Sequence, residues 1–216
     1  DYEPVTRALW RRLCIGGLAI DVGSHSGVFT LDAFRAGARG VLTIEPHPIN
    51  YARLVMNVRF NNFPVSGLFY GAAGDENKID HLLVKGGVYV CHAAGRVGLH
   101  NVNGTELPVR VVRIDSLLQE DLWGEVKVVK IDAENLTPQV LKGMGKILDH
   151  KPDLIVESTA DGLDEVLGHL GYKYWLIRES GSIEPVQDLK PINTTENYNG
   201  TDEDCRNRFC SVRGLP

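Results

Sequence analysis

The chain has 216 residues, 43% of them hydrophobic, and a formal net charge of −5. That length suits one domain with a sizeable core, and the acidic balance supplies no basic field for a phosphate backbone, so a small polar partner is expected and nucleic acid is not. No apolar run approaches the roughly 20 residues that cross a bilayer, and the opening Asp1-Tyr2-Glu3-Pro4 lacks both an initiator methionine and signal-peptide character. A soluble, cytoplasmic chain is expected, processed or drawn from a longer multidomain protein.

Short apolar runs alternate with segments of helical period, the pattern of a parallel sheet covered on both faces. Leu18 to Val22 reads as the first strand. Residues 26 to 37 read as a helix, with Phe29, Ala33 and Phe34 on one face and Gly37 ending it. Val41 to Glu45 is the second strand; Pro46 and Pro48 then break the chain before an amphipathic helix through Tyr51, Leu54, Val55 and Val58 to about Asn61. Val65 to Tyr70 predicts a third strand. Residues 76 to 108, rich in Gly, His and Asn, read as an insert or flap over a site, with Val88 to Cys91 and Val109 to Ile114 as candidate strands. Val126 to Ile131 and Asp153 to Val156 predict the fourth and fifth strands, with a helix over Leu136 to Leu148 between them. Leu163 to Leu170 is a further helix, stopped at Gly171 before a strand over Tyr172 to Ile177. From about 188 to 216 Asn, Thr, Asp and Glu dominate, which reads as a polar tail with little regular structure after a domain spanning 1 to 187.

Cys14, Cys91, Cys205 and Cys210 lack the paired spacing of a zinc site and are expected as free thiols. Cys205 and Cys210 are close enough to close a small disulfide loop in an oxidising compartment. Asn103, Asn193 and Asn199 begin glycosylation-type tripeptides, read here as ordinary polar loop sequence.

The stretch "AIDVGSHSGVFT", residues 19 to 30, places a glycine turn at the carboxyl end of the first strand, where open α/β sheets gather ligands. Gly23 and Gly27 let main chain approach a ligand with no Cβ in the way. The spacing D-x-G-x-x-x-G lacks the middle glycine that admits a dinucleotide's pyrophosphate, so NAD is the lesser candidate. Glu45 ends the second strand about 22 residues after Gly23, where a carboxylate accepts both hydroxyls of a ribose. An adenosyl group joined to an amino acid satisfies both signals, with Asp21 near its ammonium and Asp75, beyond the third strand, reaching the adenine amine. That ligand is S-adenosylmethionine. Read singly, the same acids are ordinary helix caps.

"IDVGSHSGVFT", "IEPHPINYARLVMNVRFNN", "VVRIDSLL", "VVKIDAENLTPQVLKGM" and "LIVES", spanning about residues 18 to 158, resemble in order and spacing the FkbM-family methyltransferases. The resemblance implies a Rossmann-like class I methyltransferase fold with a mostly parallel seven-stranded sheet. It also implies methyl transfer from S-adenosylmethionine, usually to hydroxyl oxygens of sugars or natural products. On this likeness Gly23, Ser24 and Gly27 line the methionyl part of the cofactor, Glu45 the ribose and Asp75 the adenine, while Asp132 faces the transfer site. The turn departs from the family's common D-V-G-A-N-x-G at Ser24 and His25, and the fourth-strand motif K-I-D-V-E-G becomes "KIDAENLTPQ", with Asn135 for the glycine and the following acid missing.

A hydroxyl attacking a methyl sulfonium needs a nearby base as it gives up its proton. Asp132 is the first candidate, and with Glu134 and Glu157 it forms an expected cluster of carboxylates around the acceptor. Like charges there would raise one carboxyl toward neutrality. The cluster also offers oxygen ligands to Mg²⁺, although a metal is not the favoured reading. His25, His47, His81, His92 and His100 are alternative bases, each alone more often a loop or surface histidine, with His47, in the loop after Glu45, the best placed; His25, in the glycine turn, and Asp132 are also expected among the cofactor-binding residues. Lys130 shares the side of the strand that Asp132 continues, to hold substrate or to pair with an acid. The function expected is O-methylation of a hydroxyl on a sugar, glycan or glycosylated natural product. The alternatives are another small acceptor or a non-catalytic cofactor-binding or interaction domain of the same fold.

Overall fold

The computed structural model describes residues 2–84, 91–93, 105–133, 136–157, 162–189 and 207–216. In chain order they form α1 (Pro4–Cys14), β1 (Leu18–Val22), α2 (Val28–Ala36), β2 (Gly40–Glu45), α3 (Pro48–Phe60), β3 (Leu68–Tyr70), β4 (Ala72–Ala73), β5 (Lys78–Val84), β6 (Cys91–Ala93) and β7 (Thr105–Val112). There follow β8 (Val126–Ile131), α4 (Thr137–Met144), β9 (Asp153–Glu157), α5 (Leu163–Leu167), β10 (Lys173–Arg178), β11 (Ser182–Val186) and β12 (Asn207–Ser211).

The main sheet runs β11-β10-β12-β9-β8-β1-β2-β3. Its β3, β2, β1, β8 and β9 are parallel neighbours, and the apolar runs of the inner four, β2, β1, β8 and β9, are strands covered on both faces, while β3 lies half-exposed at the edge. The chain steps from β1 outward to β2 on one side, and β8 later fills the other side of β1. The carboxyl ends of β1, β2 and β8 therefore open a crevice at this switch point. Two apolar clusters pack the faces: one around Ile20, Ile44, Ile131, Leu141 and Leu154, the other around Trp10, Ala19, Phe29, Val128 and Phe209.

The sheet has eight strands rather than seven, because β11 folds back antiparallel onto β10 at the edge. The larger correction concerns the tail. Residues 207–211 are β12, antiparallel to both β9 and β10 and wholly buried between them. Its sequence, NRFCS, has only two apolar residues, so composition hides it. Hydrogen bonding to strands on both sides and the burial of Phe209 against Trp175, ring centroids 5.4 Å apart, outweigh that local polarity.

Helix α1 is absent from the elements expected above, yet it covers the sheet. Trp10 is fully buried, donates from Nε1 to the Phe29 carbonyl at 2.8 Å and meets the Phe29 ring edge-on. The Glu179 carboxylate caps the helix start, accepting from Val5 N at 2.7 Å and from the Thr6 amide and hydroxyl.

Several boundaries also shift. The predicted 65–70 strand begins only at Leu68, and the predicted 136–148 helix is α-helical to Met144, where Gly145 at φ +49° turns it into a 3₁₀ segment ending at His150. The insert is a second sheet, β4-β7-β5-β6, in which the expected 109–114 strand runs instead from Thr105 to Val112. Of the expected 88–91 strand, residues 88–90 lie outside the described residues, as do Asn103, Asn193, Asn199 and Cys205. Cys14 and Cys210 are buried free thiols. Among the described residues no helix is long and apolar enough to cross a membrane.

Candidate active site at the carboxyl ends of β1, β2 and β8

The turn after β1 is pinned from both neighbouring strands. Gly23 N and Ser24 N donate to the Ile44 carbonyl at 2.9 and 3.3 Å, while Asp132 N, just past β8, donates to the Val22 carbonyl at 3.0 Å. Gly23 sits at φ +77°, and a Cβ on it would stand 1.8 Å from the Asp132 carbonyl oxygen, so only glycine fits between the two strand ends. Gly27, at φ +90°, starts α2 against Leu54. His25 has φ +52°, a left-handed conformation that asparagine and histidine tolerate better than most residues. The exchange of Asn for His in the turn is thereby accommodated.

Glu45 ties this turn to the loop after β2. Its Oε2 accepts from His25 N at 2.7 Å and its Oε1 from His47 N at 2.8 Å. Burial raises its carboxyl, and the two backbone N–H groups restrain that rise. The Asn50 side chain adds a third hydrogen bond, and a carboxylate with about four lone-pair sites still has capacity for a further donor. His47 is buried and serves the local structure, because its Nδ1 accepts from Asn50 N at 3.4 Å as the N-cap of α3. Burial, with His25 and Arg53 adding to it, holds that imidazole below its ordinary range.

A cavity of about 190 Å³ opens here, its wall including Tyr2, Gly23, His25, Glu45, Asn50 and Asp132. Asp132 reaches it from β8 with its carboxylate on Lys130, Oδ2 to Nζ 2.9 Å. An ammonium is thus in direct contact with Asp132 and offsets the like charge of the neighbouring Asp21 and Glu3, and Lys130 pairs with an acid as one of its two sequence readings allowed. Asp21 does not line the cavity. It is buried beneath the turn, accepting from the Thr30 hydroxyl at 2.7 Å, with its carboxyl pushed up to about 6 by burial against the opposing pull of Lys130. Asp75 is exposed beyond β4, outside this wall, with its carbonyl on Arg113 at 2.8 Å. Glu157 ends β9, buried but also outside the wall, and Glu134 lies outside the described residues. Among the described residues no three His, Cys, Asp or Glu side chains stand together as a metal-holding group. Of the other histidines, His81 is exposed on β5, while the side chain of His92 and all of His100 lie outside the described residues.

Tyr2 and Asn50 were missed from the sequence. Tyr2 belongs to no motif and arrives only because α1 docks on the sheet. Asn50 reads as one more polar residue of a helix, whereas here its buried Oδ1 has no hydrogen-bond partner among the described residues, as is also true of Ser24 Oγ. A buried acceptor without a donor is costly, and such groups concentrate where a ligand completes them. The glycine cradle, the remaining capacity of Glu45 and the orphaned Asn50 oxygen suit a ligand rich in O–H and N–H donors. An adenosyl amino acid is such a ligand.

Residues 21–174 match the family described as "Methyltransferase FkbM domain". Among solved structures, the chain is similar to a methyltransferase FkbM from Methylobacillus flagellatus KT at 14% identity and TM-score 0.55, over 90% of this chain and 43% of that one. It thus spans less than half of that relative's length. It is also similar to a putative methyltransferase from Streptococcus mutans in complex with SAH, at 11% identity and TM-score 0.51, over 98% and 97% of the two chains. A third resemblance is to an rRNA methylase from Streptococcus thermophilus at 9% identity and TM-score 0.50, over 97% and 94%. No curated protein matches the chain. With the family matched over most of its length, the chain belongs to the FkbM methyltransferase-domain family, a class of S-adenosylmethionine-dependent enzyme.

Proposed function

We propose that this domain methylates a hydroxyl oxygen of a sugar, a glycan or a glycosylated natural product, with S-adenosylmethionine as donor. The observation that carries the proposal is that Glu45, Gly23 and Asp132, from three strand ends, line one cavity, which supports assigning one carboxylate to the adenosyl group and the other to the proton. S-adenosylmethionine supplies an electrophilic methyl carbon, so the protein's contribution is alignment and proton removal. Alignment alone reaches roughly 7–11 kcal/mol in favourable cases.

In this reading Glu45 accepts the ribose hydroxyls, the main chain of Gly23, Ser24 and His25 borders the methionyl group, and Gly27 keeps the turn close. Asn50 offers its buried Oδ1 to a donor on the cofactor. Asp75 is assigned to the adenine, which its exposed position beyond β4 leaves for binding to bring about. Asp132 accepts the proton of the attacking hydroxyl. Glu157, at the end of the neighbouring strand, bounds the acceptor side. The family resemblance supports the hydroxyl class of acceptor; a carboxylate acceptor, already ionised, would have no proton to give up.

The test is methyl transfer from isotope-labelled S-adenosylmethionine to a panel of sugars, glycosides, amines and carboxylic acids, read by mass spectrometry. Label should enter hydroxyl acceptors, and Asp132→Asn should retain S-adenosylhomocysteine binding by calorimetry while losing transfer. Label confined to amines would overturn the acceptor class. NAD bound in preference to S-adenosylhomocysteine would overturn the cofactor.

A further inference from the structure

Lys130 lies in the middle of the sheet on β8 with its side chain 2% exposed, a placement lysine accepts only when its charge is answered. Its ammonium contacts Asp132 at 2.9 Å and sits 4.4 Å above the centroid of the Phe29 ring, which blocks water from that side and attracts the cation through its π face. The stem cannot swing, because β1 and β9 flank the strand, with Asp21 and Ile155 as its register partners. Asp132 is different. It stands just past the strand end with its side chain 28% exposed, Oδ2 on the ammonium, in the wall of the cavity.

We infer that Lys130 is the positioning residue of this site: its immobile ammonium fixes the Asp132 carboxylate, as an anion, facing the cavity. What that carboxylate then does to an acceptor rests on the function proposed above; the contact itself does not.

The groups around the pair favour this assignment. Asp21 approaches from β1, Glu3 and the Tyr2 phenol from the start of the chain, and His25 from the glycine turn. One fixed cation thus answers three carboxylates, those of Asp132, Glu3 and Asp21. Burial by itself would strip the proton from Lys130, but these neighbours more than reverse that and hold its ammonium above the ordinary lysine range. It therefore remains charged throughout the pH range in which an enzyme works. Without it, Asp132 would face Asp21 and Glu3 stripped of this counter-charge, and like charges favour protonation. A base protonated in that way accepts nothing from a hydroxyl.

The experiment is a ¹³C titration of the Asp132 carboxylate in the intact chain, assigned with Asp132→Asn, in wild type and in Lys130→Met. Wild type should titrate below the ordinary aspartate value of about 3.9, and Lys130→Met should raise the midpoint by at least about one unit. The acid limb of kcat/KM should move to higher pH by the same amount, with S-adenosylhomocysteine affinity at pH 8 within about threefold of wild type, under 1 kcal/mol in binding. Lys130→Arg, which retains the charge, should restore the low midpoint. A wild-type midpoint at or above the ordinary value overturns the inference even if Lys130→Met does not fold, and so does a midpoint that Lys130→Met leaves in place. A low midpoint in a chain that transfers no methyl group would support the pair and refute only the function.

Discussion

Replacing Gly23 by alanine would put a methyl group 1.8 Å from the Asp132 carbonyl oxygen, where ordinary contact begins at 3.4 Å. The two strand ends would have to separate by roughly 1.6 Å, comparable to the shifts that overpacking forces. The bond from Asp132 N to the Val22 carbonyl, 3.0 Å long, holds them together and would be lost or stretched. Two terms follow. A left-handed non-glycine residue costs roughly 1–2 kcal/mol, and the forced separation adds about 2 kcal/mol from overpacking and the weakened hydrogen bond. Gly37 supplies the control: it has φ +92° but nothing within 4 Å of its added Cβ, so Gly37→Ala carries the first term alone. Urea unfolding of both variants should place Gly23→Ala about 2 kcal/mol below Gly37→Ala. Because the shift displaces Asp132 and the turn together, calorimetry should show S-adenosylhomocysteine binding weakened by about tenfold or more in Gly23→Ala and unchanged in Gly37→Ala. Equal stabilities within about 0.5 kcal/mol, or wild-type affinity in Gly23→Ala, would refute the reasoning.

Three further outcomes are expected. Asp32 is buried between Arg7 and Arg11, 2.7 and 2.9 Å away; burial raises its carboxyl, but the two guanidinium groups outweigh that and hold it below the ordinary range. Asp32→Asn should cost roughly 1–3 kcal/mol at neutral pH, less than a fully buried pair because Arg11 is half-exposed, and the deficit measured by urea denaturation should vanish as pH falls below about 4, where the unfolded and then the folded carboxyl take up protons. Asp21 behaves oppositely: with its carboxyl at about 6 in the folded chain, the native state binds a proton that the unfolded chain releases above about 4. Its contribution to stability should therefore fall as pH rises from 4 to 6, a slope that Asp21→Asn removes from the urea midpoint. Phe209→Ala should cost about 3–5 kcal/mol by thermal unfolding, since that side chain is fully buried in β12; a loss typical of an exposed tail would contradict the placement of this strand.

The parallel half of the fold and the floor of the site were legible because their signals are local. The runs 18–22 and 126–131 are the strands β1 and β8, residue for residue, since a strand buried on both faces must be apolar throughout. Gly23 and Glu45 are readable for a related reason: a tight turn demands a positive φ, and an acid ending the neighbouring strand stands beside that turn. The antiparallel edge is another matter. NRFCS becomes a strand because β9 and β10 leave one unfilled place between them, and α1 takes its position from Trp10, Asp32 and Glu179, the last 173 residues from Thr6 in sequence. Tertiary structure alone made Tyr2 part of the cavity wall, whereas the contact of Lys130 with Asp132, two residues apart at the end of one strand, was already open to the sequence. Sequence fixes which residues can take a backbone conformation or bury a face, whereas which residues of distant elements share one cavity depends on which strand ends converge, and that is decided by the packing of the whole sheet.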